Sequence, residues 1–370
     1  MKIVYVSPYV IQGGAERYLA LLLGGLERES IERVVFLKHG TFVDELRRDG
    51  YPVEVFATSP RLPGIVRSAL RLRRLLRRTR PDVVHADGVK GALVAVLATP
   101  GGGPPVVWVK HDFSWDGPLV RLVARRCRVI VAVSAAVTEA LDASALARTR
   151  VIHNGLPALE GDSSRGLRRL EEALGPPKPT GIVTLVGRLN PTKGHRELVA
   201  VAAGLRDRVP GARIAFIGAS DPNHPEEELE LRRETTELGL DDVVSFLGFQ
   251  DDLYDLVAAS DVLVVPSVML GRVGKEGFPF TGLESMALGT PLVAYAHGGL
   301  PELVGDCGLL VPPGDREALG DALVRLLTDK ALRERLSACG RARIVEEFSL
   351  EQMIESTKAC YRDAVASTSE

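Results

Sequence analysis

The chain has 370 residues, 45% of them hydrophobic and 25% charged, with 46 Lys+Arg against 48 Asp+Glu for a net charge of −2. That is globular composition without a low-complexity tract, and the length is comfortable for two cores. The longest apolar stretches, 91–98 and 129–133, fall far short of the roughly 20 residues a membrane-spanning helix needs, so a spanning protein is excluded.

The charge is unevenly spread. Residues 1–160 hold 23 Lys+Arg and 15 Asp+Glu, a net of +8, which leaves −10 for the remainder and suggests two domains that meet different partners. The N-terminus reads as a short strand entering a turn, without the apolar core and small-residue cleavage site of a signal peptide, so a cytoplasmic location is expected. Cys127, Cys307, Cys339 and Cys360 are scattered, with no metal-ligand or redox spacing. They are expected to stay reduced, as small buried hydrophobes or incidental surface thiols.

Short β-branched runs alternate with helical patterns along the first half. Strands are predicted at 3–7, 34–38, 53–57, 83–85, 106–110 and 129–133, and helices near 15–29, 42–49, 65–79, 90–98 and 119–126. Fully apolar short strands that alternate with helices imply a parallel sheet covered on both faces. Between 155 and 180 the pattern pauses in Gly161-Asp-Ser-Ser, one short charged helix and Pro176-Pro-Lys-Pro, a linker composition. A second series follows, with strands at 181–186, 213–217, 243–247, 262–265, 291–294 and 308–311, then helices at 316–328, 331–348 and 350–365. The expected fold class is therefore α/β, two Rossmann-like parallel-sheet domains facing each other across a cleft. The expected boundaries are 1–160, a linker at 161–180 and 181–349.

Two segments of the second half carry chemistry. In Val186-Gly187-Arg188-Leu189-Asn190-Pro191-Thr192-Lys193-Gly194 a strand ends and two cations five residues apart bracket a loop that opens a helix near His195. Arg grips phosphate oxygens bidentately, Lys adds a mobile point charge, and helix N-terminal amides favour anions. The loop suits a diphosphate; its alternative is a basic surface turn. In Lys275-Glu276-Gly277-Phe278-Pro279-Phe280-Thr281-Gly282-Leu283-Glu284 two carboxylates stand eight apart. Glu276 lies in a glycine-flanked loop free to face a sugar, Glu284 can accept both ribose hydroxyls, and the amides of Phe280, Thr281 and Gly282 open a helix able to hold phosphate.

These segments are similar to those of the family-4 retaining glycosyltransferases of the GT-B fold. The likeness extends to Gly13-Gly14-Ala15-Glu16, His153-Asn154-Gly155 and Gly298-Gly299-Leu300-Pro301-Glu302, and it covers nearly the whole chain. The resemblance implies a sugar moved from a nucleotide diphosphate sugar to a hydroxyl acceptor, with retention and with no metal or other cofactor. It implies that Arg188 and Lys193 hold the diphosphate, Glu284 the ribose and Glu276 the transferred sugar. It further implies His111 beside the donor sugar, Gly14 in the first loop, and Gly218 and Phe249 at the rim of the base pocket. The first domain would bind the acceptor (a saccharide, lipid-linked saccharide or small natural product), and helix 350–370 would cross back to complete it. One position departs from the pattern: many relatives carry glycine where Pro279 stands, which removes a backbone donor.

Other features carry less. Glu16 fits a first-turn carboxylate favoured by the helix dipole, and adjacent Asp251-Asp252 reads as a capped helix start rather than a metal site. His85 and His153 fit structural hydrogen bonding at strand ends, and His297, beside Gly298, stays outside the expected site. Arg67, Arg71, Arg73, Arg74, Arg77, Arg78 and Arg80 share one helical arc opposite Ile65, Ala69, Leu72, Leu75 and Leu76. This reads as a solvated surface helix, or as a segment drawn to the anionic inner face of a membrane or to a lipid-phosphate acceptor. Nucleic-acid binding is not expected, because no recognition motif accompanies the charge. A nicotinamide oxidoreductase would need Gly-x-Gly-x-x-Gly after an early strand, and only Gly13-Gly14 occurs.

Overall fold

A computed structural model of the chain describes residues 1–11, 13–59, 61–271 and 273–366. It divides into two units, one of residues 1–155 with 350–370 and one of residues 156–349.

The first unit is built on strands β1 (Ile3–Ser7), β2 (Ile31–Phe36), β3 (Val53–Val55), β4 (Val83–Asp87), β5 (Val106–Lys110), β6 (Val129–Ala132) and β7 (Thr149–Val151). Their order is β3-β2-β1-β4-β5-β6-β7, and every recorded pairing is parallel. Strands β1, β4 and β5 are buried at every position, as strands covered by helices on both faces must be. The helix Leu350–Ala366 belongs to this unit and buries Met353, Ile354, Thr357, Cys360, Tyr361 and Ala364, a stripe at helical spacing.

The second unit holds β8 (Gly181–Val186), β9 (Ala212–Ile217), β10 (Val244–Gly248), β11 (Val262–Val265), β12 (Leu292–Tyr295) and β13 (Leu309–Val311). Its order is β10-β9-β8-β11-β12-β13, again all parallel. Both sheets are Rossmann-like. In each the order reverses beside the first strand, and ligands of such sheets bind outside the strand ends at that switch point. The stretch 161–180 contains the helix Ser163–Leu174, which packs on the helix Leu253–Ala258 of the second unit.

The structure corrects several expectations. Strand β2 begins at Ile31 rather than 34, and the edge strand β7 was not expected because Thr-Arg-Val offers little apolar signal. The first helix spans Gly14–Gly24 and stops at the Gly24-Gly25 pair, well short of 29. Arg80 closes the helix Leu62–Thr79 in the left-handed conformation instead of continuing its basic arc. Asp252 stands at the N-cap of the helix Leu253–Ala258, but its side chain makes no cap bond and pairs with Arg169 at 2.8 Å.

The reduced state expected for all four cysteines is overturned for one pair. Cys307 and Cys339 form a disulfide with Cα atoms 5.2 Å apart, while Cys127 and Cys360 are free and buried. Residue 307 follows the helix Leu300–Val304 and residue 339 lies in the helix Lys330–Glu347, so tertiary packing rather than spacing brings them together.

Candidate functional site

In the second unit the loop after β8 is pinned by its own polar residues. Asn190 Oδ1 accepts from Thr192 N at 2.9 Å and from Thr192 Oγ1 at 2.8 Å, shaping the 3₁₀ turn Pro191–Lys193 that leads into the helix His195–Arg208. Asn190 Nδ2 donates to Asp221 Oδ2 at 2.8 Å, and that oxygen lies 4.0 Å from Arg188 Nη1. Burial would raise the Asp221 carboxyl, but the Asn223 amide, Asn190 and Arg188 together hold it below its ordinary range. The ends of β8, β9 and β10 are laced together, with Gly187 N on Ile217 O and Gly218 N on Gly248 O, both at 2.9 Å. Gly218 has φ +152, and a Cβ there would sit 2.0 Å from Gly187 O, so only glycine fits. Phe249 follows β10 with 65% of its surface exposed.

The loop after β11 meets this one directly. Thr192 O accepts from Val268 N at 2.8 Å, and Lys193 Nζ donates to Glu276 Oε1 at 2.8 Å. The same carboxylate oxygen accepts from Ser267 Oγ at 2.7 Å. Burial raises the Glu276 carboxyl, yet the Lys193 charge and hydrogen bond, Ser267 and His297 bring it below the usual range, so Glu276 is an anion at neutral pH. Its backbone is clasped as well. Gly299 N donates to Glu276 O at 2.9 Å, and Gly298, at φ +59, would place a Cβ 2.1 Å from that oxygen. His297 Nε2 lies 2.6 Å from Ser267 O; a carbonyl only accepts, so Nε2 carries the proton.

Glu284 lies in the second turn of the helix Phe280–Leu288 and is 3% exposed. Phe280, Thr281 and Gly282 form the first turn, with Pro279 at the N-cap; the Phe280 ring is buried, so any ligand contact from this residue falls to its backbone. The segments around 188–193 and 276, singled out separately in the sequence, are thus joined by a direct ion pair. His297, set aside in the sequence although it immediately precedes Gly298-Gly299, and Ser267, which the sequence did not single out, both meet this cluster.

In the first unit His111 follows β5, and its Nε2 lies 3.0 Å from Asp87 Oδ1 at the end of β4. The same oxygen lies 3.2 Å from His85 Nε2, and His85 Nδ1 lies 2.7 Å from Tyr361 Oη. Burial raises the Asp87 carboxyl, but hydrogen bonds and charge from His111 and His85 prevail and hold it at about 2. An ionised Asp87 accepts only, so both histidines donate to it from Nε2; in the neutral imidazole form this leaves His85 Nδ1 to accept from Tyr361 Oη and His111 with Nδ1 as its second nitrogen. Gly14 is the first residue of the helix whose Tyr18 ring meets the His111 ring edge-on at 4.8 Å. Glu16 of that helix accepts from Ile11 N at 3.0 Å, a structural role. Asp87 and Tyr361 were missed. The His-x-Asp at the end of β4 was a legible signal, whereas Tyr361, 276 residues from His85, was not.

Among the described residues, no group of three or more His, Cys, Asp or Glu could hold a metal ion, and no helix is long and apolar enough to cross a membrane.

Residues 168–343 match the family model Glycosyl transferases group 1, and residues 12–158 match Glycosyltransferase Family 4. The chain is 30% identical over 312 residues to the D-inositol 3-phosphate glycosyltransferase of Saccharomonospora viridis, which covers 77% of this chain and 70% of that protein. It is 31% identical over 330 residues to the MMP alpha-(1->4)-mannosyltransferase of Mycolicibacterium hassiacum, covering 80% and 75% respectively. Among solved structures, Anabaena Alr3699/HepE in complex with UDP-glucose superposes with a TM-score of 0.83 at 25% identity, over 99% of this chain and 100% of that one.

Proposed function

The chain belongs to the glycosyl transferases group 1 family, and we propose that it transfers a sugar to a hydroxyl acceptor with retention of anomeric configuration. It is a nucleotide-sugar-dependent glycosyltransferase. In the proposed donor site Arg188 and Lys193 hold the diphosphate and Glu276 the sugar hydroxyls. Glu284 takes the ribose, the amides of Phe280, Thr281 and Gly282 take phosphate, and Gly218 and Phe249 flank the base. The observation that carries this reading is the 2.8 Å pair between Lys193 and Glu276, which joins a phosphate-type cation to a sugar-type anion across two βα loops.

In the proposed reaction the bond from the anomeric carbon to the leaving diphosphate oxygen breaks. A bond to the acceptor oxygen forms on the same face, and the acceptor proton passes to the departing diphosphate. Negative charge develops on the leaving group, which Arg188 and Lys193 would hold on this assignment and where a fixed cation is most useful. His111 and Gly14 would serve the sugar from the first unit, which would also bind the acceptor.

The UDP-glucose complex of HepE makes UDP-glucose the first donor to assay. Wild-type turnover of a nucleotide sugar, its loss in Lys193→Ala and Glu276→Ala, and an axial product linkage from an axial donor by proton NMR would support the reading. An inverted product would end the retention claim, and wild-type rates in both variants would end the site assignment.

Peripheral membrane attachment at the cytoplasmic face is supported by the helix Leu62–Thr79, where Leu62, Val66 and Leu70 are 69%, 43% and 50% exposed beside Arg67, Arg71 and Arg74. Exposed apolar residues flanked by arginines suit an anionic lipid surface. Co-sedimentation with anionic but not neutral vesicles, lost in Leu62→Ser/Leu70→Ser, is the expected result; no binding to either vesicle retires the idea.

A further inference from the structure

The first unit contains a cavity of about 360 Å³, lined by apolar side chains that include Tyr9, Ile65, Val89, Leu93 and Trp115. Two lysines, Lys38 and Lys90, also line it. Lys90 Nζ donates to Thr58 O at 3.1 Å, and burial together with the Lys38 charge lowers its pKa. Among the described residues neither ammonium is ion-paired, whereas Lys2, Lys110, Lys178, Lys193, Lys330 and Lys358 each have a carboxylate. Lys38 is exposed and Lys90 half-buried, and the repulsion between their charges at this cavity is one that a bound anion would relieve.

The walls of the cavity also connect it to His111. The Tyr9 ring meets the His111 ring edge-on at 5.9 Å, and Tyr9 Oη lies 3.4 Å from Asp112 Oδ2. Trp115 holds φ +63, a conformation that costs a non-glycine residue energy, and lines the cavity with the residue 61% exposed.

We propose that this cavity is the acceptor site, and that the acceptor is a small molecule with an apolar or aromatic body bearing a phosphate or carboxylate held by Lys38 and Lys90. The inference rests on the reading above that the first unit binds the acceptor. The volume lies near the lower end of the roughly 300–1,000 Å³ typical of ligand pockets, which sets the body at about one ring or a short chain. Lysine supplies compact, adjustable charge to such a group, and Tyr9, Leu93 and Trp115 supply the apolar contact.

The test uses the full chain with 4-(hydroxymethyl)phenyl phosphate, benzyl alcohol and inorganic phosphate as probes, read by calorimetry and, with a turned-over nucleotide sugar, by transfer. The phosphorylated alcohol is expected to bind and accept sugar at least about tenfold better than benzyl alcohol, and to bind at least about tenfold tighter than inorganic phosphate. Lys38→Ala/Lys90→Ala is expected to lose that advantage with UDP affinity unchanged, which also shows that the variant is folded. Lys193→Ala is expected to lose UDP and keep the phosphorylated probe, so failure of the donor assignment is visible separately. Equal behaviour of benzyl alcohol and its phosphate, or wild-type behaviour of the double variant, would overturn the proposal. Displacement of the probe by phosphatidic acid vesicles would place the anion on a lipid and overturn the small-molecule assignment.

Discussion

Asp87→Asn tests whether the buried carboxylate sets the state of His111. In the wild type Oδ1 faces two imidazole nitrogens, at 3.0 Å from His111 and 3.2 Å from His85, in a fully buried setting. Those bonds hold the Asp87 carboxyl at about 2 against an ordinary 3.8, which corresponds to about 2 kcal/mol of folding stability at neutral pH. The pKa is depressed on folding, so this stability is fully present above pH 3.8 and is lost as pH falls towards 2. Asparagine keeps the shape and one acceptor but not the charge, and its NH₂ can turn towards the histidines and release their tautomers. Urea denaturation at neutral pH is expected to show a deficit of about 2 kcal/mol that shrinks between pH 3.8 and 2. Long-range ¹H–¹⁵N spectra are expected to show His111 leaving the Nε2–H tautomer. A misplaced nitrogen worth about 1.4 kcal/mol at the transition state lowers kcat by about tenfold, while UDP affinity stays unchanged. An unchanged His111 tautomer together with wild-type kcat would refute the idea that Asp87 positions this histidine.

Tyr361→Phe removes the 2.7 Å bond to His85 Nδ1 and is expected to cost about 1 kcal/mol by urea denaturation. Its ¹⁵N spectrum should keep His85 in the Nε2–H tautomer, because Asp87 still accepts from that nitrogen. Gly298→Ala puts a methyl 2.1 Å from Glu276 O at φ +59, with an expected cost of about 1–3 kcal/mol and reduced donor turnover. Gly314→Ala, at φ +80 with open space around it, serves as the control that carries backbone strain without the clash, and its turnover should be that of the wild type. Reduction of Cys307–Cys339, which are 32 residues apart, is expected to cost roughly 3–4 kcal/mol and to lower Tm in reductant. A Cys307→Ser/Cys339→Ser variant should show no such response.

The two sheets were legible because parallel strands buried on both faces announce themselves as short apolar runs, as β1, β5, β8 and β11 do. Edges were less so: Thr149-Arg150-Val151 is mostly exposed and carries no such run. The loop at Arg188 and Lys193 and the carboxylate at Glu276 were legible because glycines and charges interrupt apolar segments there. Their mutual contact was not, since 83 residues separate Lys193 from Glu276. The same limit hid the disulfide and the bond between Tyr361 and His85. Residues that hold functional groups in place look like ordinary core until the fold supplies the neighbour, and Asp87, at 0% exposure, is the plainest case.

The pairing of Lys193 with Glu276 bears on how a donor would enter the proposed site. The two side chains are 38% and 16% exposed, a setting in which an ion pair contributes about 1 kcal/mol or less. A diphosphate brings more negative charge than one carboxylate, so it competes for the Lys193 ammonium at little cost. Glu276 does not follow the lysine, because Ser267 Oγ holds its side chain at 2.7 Å and Gly298 and Gly299 clasp its backbone oxygen. The anion is left in place with acceptor capacity to spare, at the point where a sugar attached to that diphosphate presents hydroxyl donors. The pair thus compensates each charge with the other. On the proposed assignment, donor binding separates the two charges into their two duties without moving the carboxylate.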